Sequence, residues 1–181
     1  MDLHEKTIES RKVYDGKIIR VRLDKVILPD GREGMREIVE HSGAVAVVPL
    51  DHDNRVYFVR QYRKPLEKIL LEIPAGRLEP GEDPRDCARR ELAEEIGLQP
   101  KELRQMAFMY SSPGFSDEKI YLYLARDLVR HRLENDEGEF LEIESIPLAD
   151  AVDMVSNGAI EDGKTITGVL LAMHFLSREQ R

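Results

Sequence analysis

The stretch that decides the reading of this chain is Gly76-Arg77-Leu78-Glu79-Pro80-Gly81-Glu82-Asp83-Pro84-Arg85-Asp86-Cys87-Ala88-Arg89-Arg90-Glu91-Leu92-Ala93-Glu94-Glu95-Ile96-Gly97-Leu98. It reads as a loop followed by a helix with both ends marked. Asp83 suits an N-cap, Pro84 suits the first helical position, and Asp86 sits well at the positive end of the helix dipole. Gly97 supplies the stop, because glycine adopts the left-handed turn that ends a helix. Ala88, Leu92 and Ile96 recur every four residues and form a face that packs on a sheet. Glu91 and Glu95 share a second face, and Glu94 stands beside Glu91 at the i+3 position.

Three carboxylates on about one helical turn repel one another, at a cost of a few tenths of a kcal/mol per i,i+4 pair. Local stability therefore does not account for them. A divalent cation would, since Mg²⁺ and Mn²⁺ prefer carboxylate oxygens and offset the repulsion. A solvated acidic face balanced by Arg89 and Arg90 explains the same residues, and spacing alone does not separate the two.

Outward from this helix, the chain reads as strands with hairpins and two further helices. Extended runs fall at about Lys17–Leu28 and Met35–Val39, separated by Asp30-Gly31, a hairpin turn signal. Gly43–Leu50 has the small and β-branched residues of a buried strand, and Arg55–Tyr62 follows after a polar turn. Leu103–Tyr110, Lys119–Leu124 and Phe140–Ile146 complete the strands. Helices are predicted over about Leu148–Val155 and Lys164–Ser177 from apolar residues at helical spacing. A mixed sheet flanked by helices, an α/β architecture, is the expected result, with the first forty residues as a small antiparallel appendage.

The length of 181 residues favours one domain over two. Lys and Arg number 27 against 35 Asp and Glu, a net charge of −8 that opposes a dedicated nucleic-acid binder. A phosphorylated substrate remains compatible with that charge, because cations held by carboxylates can supply what the side chains lack. The single cysteine, Cys87, excludes an internal disulfide and fits a reducing compartment. The first thirty residues hold no apolar run of signal-peptide length, and Ala44–Leu50 is too short to span a bilayer. The expectation is a soluble cytoplasmic protein with no membrane partner.

The Gly76–Leu98 stretch resembles the signature of the Nudix hydrolases at Gly76, Glu82, Arg90, Glu91, Leu92, Glu94, Glu95, Gly97 and Leu98. Seven of these are specific residue types with background usage of roughly 6%, so a chance match occurs on the order of once in a billion windows. The resemblance implies a Nudix α/β/α sandwich over about residues 42–181, with residues 1–41 as an N-terminal β region used for dimerisation. It implies hydrolysis of a nucleoside diphosphate linked to a second moiety. It also implies two or three Mg²⁺ ions, replaceable by Mn²⁺, held by Glu91, Glu95 and the Ala75 carbonyl, with Glu94 binding or supporting. Glu82 and Arg90 are implied to hold those carboxylates in place.

Ser112-Pro113-Gly114, about fifteen residues past Leu98, is similar to the ADP-ribose pyrophosphatase subfamily. Arg36-Glu37, Gln61-Tyr62-Arg63 and Glu72-Ile73-Pro74-Ala75-Gly76 agree with it, so the resemblance runs from about Tyr14 to the last helix. By that resemblance Arg63 contacts the diphosphate or terminal ribose and Glu118 the terminal ribose. Arg36 and Glu37 lie on the adenine side, and Arg77 is a further substrate contact. His41 departs from the subfamily pattern and is given no role. Asp136-Glu137-Gly138-Glu139-Phe140 resembles the subfamily's catalytic loop, with Glu137 as general base, Glu139 as an added metal ligand and Glu142 in reserve. The implied reaction cleaves ADP-ribose to AMP and ribose 5-phosphate in a homodimer. The competing expectations are another nucleoside diphosphate sugar, such as GDP-mannose, and a non-catalytic sensor on the same fold.

Overall fold

The computed structural model describes residues 2–134, 138 and 140–179. Two compact units make up the chain: Met1–Gly43 with Tyr110–Lys119, and Ala44–Met109 with Ile120–Arg181. Among the described residues, no helix is long and apolar enough to cross a membrane.

The first unit is built on three antiparallel strands in the order β1-β2-β3, where β1 is Lys6–Asp15, β2 is Ile19–Ile27 and β3 is Glu33–His41. The β2–β3 turn differs from the expected one. Only Gly31 takes positive φ, at 84°, and its N–H donates to Leu28 O across Pro29 and Asp30. This is a type I turn with proline at its second position, followed by a left-handed glycine. Strand β1 falls within the expected N-terminal β region but has no strand pattern of its own in the sequence, and every one of its ten residues is exposed. Its neighbour β2 buries Asp24, whose carboxylate accepts from Ser10 Oγ at 2.6 Å. Residues 110–119 join this unit through the Val39 amide, which donates to Phe115 O at 2.8 Å.

In the second unit, β4 (Ala44–Pro49) runs parallel to β9 (Lys119–Arg130) and antiparallel to β7 (Ala75–Arg77). With β8 (Leu98–Tyr110) they form a mixed sheet in the order β7-β4-β9-β8. A second sheet, β10-β5-β6, is antiparallel and comprises β5 (Arg55–Arg63), β6 (Lys68–Glu72) and β10 (Leu141–Pro147). The helices are α1 (Pro84–Glu95), α2 (Leu148–Ser156) and α3 (Gly163–Glu179).

Strand alternation assigns the two faces. Val45 and Val47 of β4 pack with Ala88, Leu92 and Ile96 of α1, whereas Ala46 and Val48 pack with Ala151, Val169 and Ala172 of α2 and α3. The unit is therefore an α/β/α sandwich. The helix faces expected from spacing are the ones buried, and Leu92 is fully inaccessible. Strand β8 begins at Leu98, five residues before the expected start, and directly follows the glycine that ends α1.

Candidate active site

The site grows from α1 and the segment that faces it. Asp83 caps the helix by accepting from the Arg85 amide at 2.8 Å, and Pro84 follows at the first position. Ile96 ends the helix, and Gly97 at φ 69° turns the chain away. These local rules fix where Glu91, Glu94 and Glu95 stand. Glu91 is 8% and Glu95 4% exposed, so the acidic face is a buried pair rather than a solvated stripe.

Arg90 organises this cluster. Its Nε and Nη2 donate to the two Glu82 carboxylate oxygens at 2.9 and 3.1 Å. Its Nη1 donates to Glu91 at 2.7 Å and to Glu94 at 2.9 Å, and Nη2 also reaches Arg77 O at 3.2 Å. One planar guanidinium thus holds three carboxylates and a carbonyl, which suits its fixed fork of donors. The Arg90 charge, through these hydrogen bonds, holds Glu82 below the ordinary carboxylate range, and Glu82 in turn raises Arg90. Part of the repulsion, which spacing alone leaves to either a metal or the neighbouring arginines, is therefore relieved by Arg90. Arg89 contributes little, lying 3.9 Å from Asp86.

Glu95 Oε2 accepts the Ala75 amide at 3.1 Å. A Cβ at Gly76 would lie 1.8 Å from the Glu91 carboxyl carbon, so only glycine leaves room for that carboxylate. Cys87 donates to Arg77 O, and burial pushes its thiol well above the ordinary range. That is the profile of a packing residue, not a nucleophile.

Among the described residues, no three His, Cys, Asp or Glu side chains gather as a metal-holding group. The residues nonetheless fit Mg²⁺, which is commonly held by one or two carboxylates together with water and substrate phosphates. Glu91 and Glu95 are two such carboxylates, buried on one helix face against a glycine and the Ala75 backbone. Glu137 and Glu139, the expected base and added ligand, lie outside the described residues. Glu142 is exposed on β10.

Arg63, also in this unit, ends β5 and is 39% exposed at its side chain. Its Nε and Nη2 donate to the Glu72 oxygens at 2.6 and 2.7 Å. Arg77 is exposed on β7.

The other expected substrate residues belong to the first unit. Arg36 pairs with Glu5, and Glu37 is exposed opposite Leu23. Ser112 O accepts the amides of Phe115 and Ser116 at 3.1 and 2.9 Å, closing a turn around Pro113 and Gly114. Glu118 lies with Oε1 3.6 Å from His41 Nδ1, beyond hydrogen-bond reach. That Nδ1 accepts the Gly43 amide at 3.0 Å, while the His41 amide donates to Asp117.

Residues 40–168 match the NUDIX domain, and residues 5–39 match the nucleoside diphosphate sugar hydrolase N-terminal domain. The chain belongs to the Nudix hydrolase family. Its first strands place it with the members that carry the nucleoside diphosphate sugar hydrolase N-terminal domain. It is 43% identical over 169 residues to the methanol dehydrogenase activator of Bacillus methanolicus, covering 91% of this chain and 90% of that one. It is also 43% identical over 165 residues to the ADP-ribose pyrophosphatase of Bacillus subtilis (strain 168), covering 90% and 89%. A crystal structure of an ADP compounds hydrolase shares the fold, with a TM-score of 0.88, 24% identity, and coverage of 99% of this chain and 98% of that one.

Proposed function

We propose that this protein hydrolyses the pyrophosphate bond of ADP-ribose, giving AMP and ribose 5-phosphate, in a divalent-metal-dependent reaction. The observation that carries it is the buried pair Glu91 and Glu95, set against Gly76 and Ala75 in a Nudix chain. The similarity to an ADP-ribose pyrophosphatase over most of both chains supports that substrate.

Glu91, Glu95 and the Ala75 carbonyl would hold Mg²⁺, two or three ions with Mn²⁺ as a substitute, assisted by Glu94 and Glu139. When bound, the metal would neutralise diphosphate charge and acidify water. Arg90 orients Glu91 and Glu94, and Glu82 orients Arg90. Arg63 contacts the diphosphate or the terminal ribose of the substrate, and Arg77 is a further substrate contact. Arg36 and Glu37 bind the adenine side, Glu118 binds the terminal ribose, and the Ser112-Pro113-Gly114 turn is a further substrate contact. Glu137 takes the proton of the attacking water as its oxygen bonds to the adenosyl phosphorus. The bond to the bridging oxygen then breaks, and ribose 5-phosphate leaves. Most of the acceleration comes from positioning and charge, as phosphoryl transfer requires.

The same reading makes the protein a cytoplasmic homodimer. Strand β1, a ten-residue edge with Ile8, Val13 and Tyr14 exposed, is the surface offered for pairing.

A product assay with Mg²⁺ tests the reaction against ADP-ribose, GDP-mannose, diadenosine polyphosphates and nucleoside triphosphates. Equal yields of AMP and ribose 5-phosphate, with ADP-ribose preferred, are expected. Faster cleavage of GDP-mannose would overturn the substrate assignment and keep the chemistry. Tight binding of one compound with no cleavage would replace the enzyme by a ligand sensor.

A further inference from the structure

The first turn of α3 is tied to the segment leading into β7 by polar contacts that the reaction above does not use. Asp162 caps α3, its Oδ2 accepting from the Thr165 amide at 2.9 Å and from Thr165 Oγ1 at 2.6 Å. Thr165, fully buried, accepts the Ile73 amide on Oγ1 at 2.9 Å. Lys164 Nζ donates to Asp162 at 3.0 Å and to Glu72, a carboxylate only 1% exposed. Consecutive residues of α3 therefore grip consecutive residues, Glu72 and Ile73, of a segment more than ninety positions away in sequence. One turn further along α3, a Cβ at Gly168 would stand 2.9 Å from the Ile73 side chain, so the helix lies close upon it.

Both ends of that grip lead to groups assigned to the reaction. Glu72 carries Arg63 on its two oxygens. This consumes the Nε and Nη2 edge of the guanidinium and turns its Nη1 edge away from Glu72. Ile73 is followed by Pro74, whose carbonyl accepts the Val47 amide at 2.9 Å, and then by Ala75, bonded to Glu95. The four charges Glu72, Asp162, Arg63 and Lys164 balance. Without Lys164, Arg63 alone would have to neutralise a buried carboxylate, and an anionic ligand would compete for it directly.

We propose that Lys164 and Thr165 are positioning residues: Lys164 fixes Glu72 and through it the guanidinium of Arg63, and Thr165 fixes Ile73 and through it the Ala75 backbone at the metal site. The inference rests on the ADP-ribose reading for the roles of Arg63 and Ala75. The experiment compares Lys164→Met, Thr165→Val and Thr165→Ser with the wild type in three measurements: thermal melting, Mn²⁺ binding by EPR, and kcat and KM on ADP-ribose.

Thr165→Val should weaken Mn²⁺ binding about tenfold and lower kcat by about the same factor, as losses of groups that orient metal ligands do. Thr165→Ser, which keeps the hydroxyl, should restore both. Lys164→Met should raise KM about tenfold or more, with Mn²⁺ affinity unchanged, because a substrate-binding cation is misplaced. Variants that melt lower yet keep wild-type Mn²⁺ affinity, kcat and KM would overturn the proposal and leave the contacts purely structural. Should either variant fail to fold, Thr165→Ala and Lys164→Gln, which leave space for water at the lost contact, give the same readings. A wild type inactive on ADP-ribose would refute the substrate instead, and the Mn²⁺ measurement would still decide the part played by Thr165.

Discussion

Replacing Gly76 by alanine tests the active-site assignment at its tightest point. The added Cβ would lie 1.8 Å from the Glu91 carboxyl carbon and equally close to one of its oxygens. Ordinary contact begins near 3.4 Å, so the carboxylate must retreat by about 1.6 Å. The moving group is the end of a side chain, so the strand itself can stay in place. The retreat breaks the Arg90–Glu91 hydrogen bond, a charge-assisted contact worth about 1.5–3 kcal/mol. Against that, alanine restricts the unfolded chain and returns about 0.4–1 kcal/mol. The net destabilisation is on the order of 1–2 kcal/mol, too little to unfold a typical domain. Activity should suffer far more, since a misplacement of about 1 Å at a reacting centre costs roughly a hundredfold. Urea unfolding would report the first quantity, and kcat/KM on ADP-ribose across a Mg²⁺ titration the second. A Gly76→Ala protein with wild-type rate and Mg²⁺ dependence would refute the role given to the Glu91 carboxylate.

Glu95→Gln should leave the fold intact and lower turnover by about a hundredfold or more, read in the same assay after checking far-UV dichroism. Glu137→Gln should slow turnover by about 10²–10⁴-fold without weakening Mn²⁺ binding; a larger loss in Glu139→Gln at unchanged Mn²⁺ affinity would exchange their roles. Burial alone would raise Glu72, but the hydrogen bonds of Arg63 and the charge of Lys164 outweigh it and hold the group below its ordinary value of 4.5. The unfolded chain therefore takes up this proton first as pH falls. The stability from ionised Glu72 is fully present above pH 4.5 and is lost as pH drops below that value through the folded pKa. The difference in urea midpoint between wild type and Glu72→Gln should accordingly shrink in acid; a constant difference would count against the pairing. Light scattering should give a dimer, and a fully active monomer would remove β1 from the interface.

Helix α1 was legible because everything that fixes it is local: Asp83, Pro84, Gly97 and the four-residue spacing of Ala88, Leu92 and Ile96. The buried strand β4 was legible for the same reason, its small and β-branched residues being packed on both faces. Strand β1 has no individual signal within the expected β region because Lys6–Asp15 buries nothing and so carries no alternation of burial. Strand β7 is three residues long and is defined by its partner β4. Within the site, the positions of the carboxylates could be read from spacing, whereas the reach of Arg90 to Glu82, Glu91 and Glu94 was implied only by the family resemblance and not by spacing. Its signal was present as one arginine four residues before Glu94 and eight after Glu82, yet only the folded loop brings Glu82 back to the helix. The Glu72 network depends on Lys164 and Thr165, which the fold brings together across most of the chain, and no local pattern announces it.

The grip of Arg90 on three glutamates also bears on how the protein is handled in its resting form. Because a built-in counter-ion already relieves part of this repulsion, removing the metal should leave the fold standing, and a chelator should switch the enzyme off without dismantling it. On the proposed metal-dependent reaction, a preparation stripped of metal should regain full rate as soon as Mg²⁺ is returned.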